Sequence, residues 1–243
     1  MPYRSRLALA CAHALRTERE PRCCLVSVTA RCAMLVRQIP CEAVPSPEAA
    51  MAQAIAGLDP EPPLAPRAFE AIHRALDARL RALDDDEERA WEASWSVGAH
   101  AVAVEVAPSR LLLTAAGNGR LYRLRGGRLA TVHGGHTAAA HALAAGARPD
   151  ALPPELEAVV LSALGADTGH PWIGPTELDA RHGDRLLLTS FATVRGQTTD
   201  TLQAALAEPD RARAARAVAD LCPPQEDRSP WAEALVVDLV HGG

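Results

Sequence analysis

No apolar run in the sequence approaches the roughly 20 residues that a membrane-crossing helix needs, which excludes a bilayer-spanning helix. No C-x-x-C pair occurs among Cys11, Cys23, Cys24, Cys32, Cys41 and Cys222, and the adjacent Cys23-Cys24 fits no common zinc-ligand spacing. The cysteines therefore read as free buried thiols of a reducing cytosol. No basic face is present either: the net charge is −5 and arginines are interspersed with acids, which argues against nucleic-acid binding. Repeats, low-complexity tracts and long linkers are absent. What remains is a chain of 243 residues, 48% of them hydrophobic, enough for one large core. Residues 1–243 are expected to form a single soluble, cytoplasmic domain whose partner is a protein or a small molecule.

Arg4 and Arg6 precede the apolar run Leu7–Ala12, as in a secretory signal, but the run is short, is interrupted by His13 and reads as an opening β-strand. Cys23–Val28 and Cys32–Ile39 look like paired strands around Thr29-Ala30-Arg31. Ser46 can cap a helix that opens on Pro47 and runs to Leu58. A proline-rich loop leads to a second helix, where Phe69, Ile72, Leu76, Leu80 and Leu83 make one apolar stripe. The run Asp84–Glu88 reads as a solvated helix end, because consecutive carboxylates repel and cannot converge on one ion. Val102, Val104 and Val106 alternate as in a half-buried strand. Leu111–Ala116, Arg120–Leu124 and Arg128–Val132 read as a meander, with Gly117-Asn118-Gly119 and Gly126-Gly127 as its hairpin turns. His136–Ala145, Pro154–Leu164, Thr201–Ala207 and Asp210–Leu221 read as helices, and Arg185–Ser190 and Ala232–Val240 as buried strands. Strand meanders with segregated helices imply an α+β layered domain rather than a doubly wound parallel sheet.

Four segments resemble motifs of the metal-dependent serine/threonine phosphatases of the PPM, or protein phosphatase 2C, family. Leu111–Arg128 resembles that family's strand, Gly-Asp-Ser-Arg turn and following strand. Ala163-Leu164-Gly165 matches its Ala-Leu-Gly, and Gly183–Ser190 its Gly-Asp-Arg-Leu-Leu-Leu-Cys-Ser; Gly135-His136-Thr137 falls where it often has Asp-His-Ser/Thr. The resemblance implies a four-layer αββα sandwich, two antiparallel sheets flanked by helices. It also implies two Mg²⁺ or Mn²⁺ ions about 4 Å apart that activate a water for attack on a phosphate ester.

The acids such a centre needs are missing. Asn118 stands for the Asp of the turn, Phe191 for the Asp of Ser-Asp-Gly, and Pro230-Trp231 for the Asp-Asn before the last strand. Arg37 falls in the stretch that corresponds to Asp-Gly-Met-Gly-Gly, and Glu20 alone survives of the acids. Hard divalent cations require carboxylate oxygens, so no metal and no cofactor is expected.

The expected role is that of a catalytically inactive pseudophosphatase, a protein-binding regulatory or scaffolding domain in bacterial signalling whose partner is kinase-linked or phosphorylated. One alternative is a weak or divergent metal-dependent phosphoprotein phosphatase. Another is a phosphate or phosphopeptide reader, in which Arg16, matching the family's phosphate-contacting Arg, and Arg37 form an anion site. Other chemistries are less well supported. His133, His136 and His141 lack zinc spacing, and Ser190 lacks the flanking glycines of a nucleophile elbow. Trp91, Trp95, Trp172 and Trp231 are expected in the core.

Overall fold

The computed structural model describes residues 7–16, 24–29, 31–38, 47–59, 63–81, 98–107, 110–157, 159–165, 171–222 and 232–241. Two five-stranded antiparallel sheets face each other. The first has the order β1 (Leu7–Arg16), β10 (Ala232–His241), β9 (Arg185–Ser190), β6 (Gly119–Arg125), β7 (Arg128–His133). The second has the order β2 (Cys24–Val28), β3 (Cys32–Gln38), β4 (Ala99–Ala107), β5 (Arg110–Ala116), β8 (Ile173–Leu178). Helices α1 (Pro47–Ala56) and α2 (Leu64–Arg81) cover the outside of the second sheet. Of two short helices, α3 (Ala138–Ala144) follows β7 and α4 (Phe191–Val194) follows β9. Helices α5 (Thr199–Leu206) and α6 (Arg211–Asp220) cover the outside of the first sheet. This is the αββα sandwich expected from the motifs.

Side-chain alternation sorts the apolar residues into three layers. Leu35, Val102, Val104, Leu111 and Leu113 of the second sheet meet Leu121, Leu186, Leu188, Leu235 and Val237 of the first. On the outer side of β4, Ala101 and Ala103 pack under Met51, Phe69, Ile72 and Leu76. Leu187 and Val236 face Leu202, Leu206 and Val218 on the other side. The leucine run of β9 is thus buried on both faces, the condition that favours a continuous apolar strand. β4 is likewise buried on both faces rather than half-buried, because α2 lies over its outer side. Glu105 sits on that covered side, and its carboxylate accepts the N–H groups of Leu64 (2.8 Å) and Ala65 (3.0 Å). A buried acid thereby satisfies the donors at the positive end of α2.

Four local expectations are corrected. Gly117-Asn118-Gly119 does not close a hairpin: β5 belongs to the second sheet and β6 to the first, so this turn carries the chain across the sandwich. It requires glycine at both ends. Gly117 has φ +61°, and a Cβ on Gly119 would lie 2.4 Å from the Ala101 carbonyl oxygen. The helix expected over 154–164 is only a 3₁₀ turn, Pro154–Glu157. Beyond it, single bridges join Val160 to Thr137 and Leu164 to Ala99. Helix α3 starts at Ala138, capped by the Thr137 hydroxyl, so His136 lies outside it. Strand β8, absent from the sequence reading, is an exposed edge strand containing Gly174-Pro175, where a missing N–H costs no ladder bond.

The opening strand is as read, since β1 pairs with β10 from Leu7–His241 through Arg16–Ala232. Cys11 and Cys32 are unpaired thiols, pushed by burial up to about 11 and about 12, which makes them inert. Trp172 packs on the α1–α2 layer, while Trp91, Trp95, Trp231 and the acidic run 84–88 lie outside the described residues. No helix among the described residues is long and apolar enough to cross a membrane.

Candidate functional site

At one end of the sandwich β3, β5 and β9 finish and β4, β6 and β10 begin, so residues distant in sequence meet there. Arg37, near the end of β3, reaches from the second sheet to the first. Its Nη1 donates to Ser190 Oγ at 2.7 Å and to Glu233 Oε1 at 3.2 Å. The two charged side chains are only 13% and 3% exposed, so this ion pair is largely shielded from water. Glu233 is fixed through its backbone as well. Its N–H donates to Thr193 Oγ1 (3.0 Å), and its carbonyl accepts from Thr189 Oγ1 (2.6 Å). Ser190 stands at the cap position of α4 but makes no side-chain cap there; its hydroxyl serves Arg37 instead.

A second layer surrounds this pair. His100, opposite Arg37 in the β3–β4 register, accepts the Asn118 N–H on Nδ1 at 3.1 Å. Burial, and then the charge of Arg37, pull His100 down to about 4, so it is a neutral acceptor at pH 7. The Asn118 Nδ2 group donates to the Glu157 backbone carbonyl at 3.2 Å, and the Asn118 backbone carbonyl accepts the Phe191 N–H at 3.2 Å. A Cβ on Gly135 would come within 2.8 Å of Asn118 Oδ1, so this turn is packed tightly under the loop before α3. The Phe191 ring lies 4.5 Å from the Arg120 guanidinium, which also pairs with Glu157 at 2.9 Å. His133 is pulled down to about 4 by burial, then by His136 and Arg120, and His136 Nδ1 shares a short hydrogen bond with Ser162 Oγ.

Of the positions singled out in the sequence, Arg37, Asn118 and Phe191 are thus brought to one end of the fold. Arg16 ends β1 beside Ala232, which places its backbone at the same end; its side chain lies outside the described residues, as do Glu20 and Pro230. Glu233, Arg120, Glu157 and His100 were not anticipated. The one available signal was Glu233 itself, an acid near the start of an otherwise apolar strand.

This donor set does not fit a pair of hard divalent ions. Its innermost carboxylate already faces a guanidinium, the position after Ser190 is an aromatic ring, and the turn residue is a neutral amide. Among the described residues no group of three His, Cys, Asp or Glu side chains is placed to hold a metal. The far end of β9 is also structural: Arg125 clamps Asp184 through two bonds of 2.7 Å, and Arg181 N–H adds one of 2.8 Å. Burial alone would raise the Asp184 carboxyl; these bonds hold it below the usual range.

No family model matches the chain, and no curated protein sequence matches it. Solved structures do. The Mycobacterium tuberculosis serine/threonine phosphatase PstP/Ppp is 23% identical with a TM-score of 0.70, covering 96% of this chain and 100% of that one. The PstP catalytic domain in complex with two manganese ions is 22% identical (TM-score 0.69; 96% and 99% covered). The PPM phosphatase MsPP of Mycobacterium smegmatis, in complex with cacodylate, is 20% identical (TM-score 0.67; 95% and 98% covered). The chain has the fold of the PPM-type phosphatases over nearly its whole length, as the motif resemblance implied. Identities this low establish the fold alone.

Proposed function

We propose that the chain is a catalytically inactive pseudophosphatase, a PPM-type scaffold that acts by binding another protein. The observation that carries this reading is the Arg37 guanidinium paired with Glu233 and Ser190 at the end of the sandwich. A phosphatase of this fold needs free anionic ligands there for its cations; here the buried Glu233 carboxylate at that end already faces a cation of the chain's own. Phe191 beneath Arg120 supports the same reading, because an apolar ring stands where a ligand would be required. The pairing also bears on anion recognition, since a phosphate reaching Arg37 would have to compete with a carboxylate held in place by its backbone.

The test has two arms. Purified protein is assayed for Mn²⁺- and Mg²⁺-dependent hydrolysis of an aryl phosphate and of phosphopeptides, and for stoichiometric partners after capture from its native cell. The reading predicts no metal-dependent turnover and a specific co-purifying protein. Turnover that rises with Mn²⁺ and is abolished by Glu233→Gln would establish the divergent-phosphatase alternative in its place.

A further inference from the structure

We propose that Arg37 is a resident cation, and that the recess it fills is a binding site for a guanidinium-class cation that the chain occupies with its own side chain. The recess is a built one. Its wall is the Glu233 carboxylate, 3% exposed, whose backbone is pinned on both sides by Thr189 and Thr193. Its second acceptor is the Ser190 hydroxyl, turned away from the cap of α4. Its third side is His100, which lies opposite Arg37 and is held in the neutral form, so the ring adds no positive charge of its own. None of these three groups reaches the Arg37 side by local sequence: Ser190 is 153 and Glu233 196 residues away. The contact therefore ties β3 of the second sheet to β9 and β10 of the first. Both bonds leave the same nitrogen, Nη1, of a planar, delocalised and weakly hydrated cation, the class of side chain that suits a shielded ion pair better than a strongly hydrated ammonium.

The inference rests on the reading that no metal is held at this end, but its test is separate. Arg37→Ala removes the resident and leaves the acceptors. Loss of one partner of a buried pair should lower the melting temperature by about 10 °C. Millimolar methylguanidinium should then raise it again, whereas sodium chloride at equal ionic strength should not, and the recovery should vanish in Arg37→Ala/Glu233→Gln. Arg37→Lys should be only partly stable, with no response to methylguanidinium. If Arg37→Ala does not fold, Glu233→Gln serves instead: it should melt well below the parent. An unchanged melting temperature in Arg37→Ala or Glu233→Gln would overturn the proposal. So would recovery by sodium chloride to the same extent, or recovery that survives without Glu233. Mn²⁺ binding by the parent protein would sink the inactive reading without touching these melting shifts.

Discussion

Phe191 and the two neutral histidines show how single residues give the site its character. If Phe191 filled an emptied metal cleft, its ring would be buried there. The structure leaves it half-buried with the Arg120 guanidinium over one face, so its contribution is smaller than that of a core phenylalanine. Phe191→Ala should cost about 1–2 kcal/mol, read by urea denaturation; a loss near 4 kcal/mol would mean the ring is core after all. His100 and His133 are both pulled from 6.5 down to about 4, chiefly by burial. Their folded values are depressed, so the unfolded chain takes up the protons first. Their contribution is complete above about pH 6.5 and is lost as pH falls through the folded value, up to about 3 kcal/mol per ring. The melting temperature should therefore drop steadily between about pH 6.5 and pH 4.5. A profile flat over that window would contradict the neutral, buried assignment.

The elements record which physical signals act locally and which do not. Strands β9 and β10 were legible because an unbroken apolar run with short flanking turns fits a strand buried on both faces. Helices α5 and α6 were legible as Thr201–Ala207 and Asp210–Leu221 from their apolar patterning, while the Thr198 cap starts α5 two residues earlier than that pattern places it. The turn at Gly117–Gly119 was legible as a glycine-requiring turn but not as a crossover, since local chemistry fixes a turn and not the sheet that receives the next strand. Strand β8 was illegible because Gly174-Pro175 reads as a breaker, and only its edge position makes it tolerable. The segment 159–164 has helical composition, yet its bridges to Thr137 and Ala99 hold it extended. At the site, Arg37, Asn118 and Phe191 could be found as motif positions, whereas Glu233 and Arg120 gain meaning only through contacts across the fold. Two predictions belong at this scale. Glu105→Gln should weaken the cap on α2 and cost about 2 kcal/mol, checked by denaturant midpoint, with no change in far-ultraviolet helicity below the transition. Gly119→Ala should cost about 3 kcal/mol, because its methyl group would meet the Ala101 carbonyl; an unperturbed midpoint would show that the crossover can relax.

Across the whole molecule the αββα sandwich is that of metal-dependent phosphatases, and both of its ends carry ion pairs of the chain's own. Arg125 with Asp184 and Arg185 with Asp238 lie at one end, Arg37 with Glu233 at the other. On the proposed reading, the last of these takes the place of the free carboxylates that phosphatase chemistry would call for. The central claim is the proposed one, that the fold is kept while the cation requirement is met internally. Titration of Mn²⁺ into the purified protein in a calorimeter tests it most directly. The account predicts no saturable heat up to millimolar metal and the same melting temperature with Mn²⁺ as with a chelator. Saturable binding at micromolar affinity, with a metal-dependent rise in melting temperature, would contradict it.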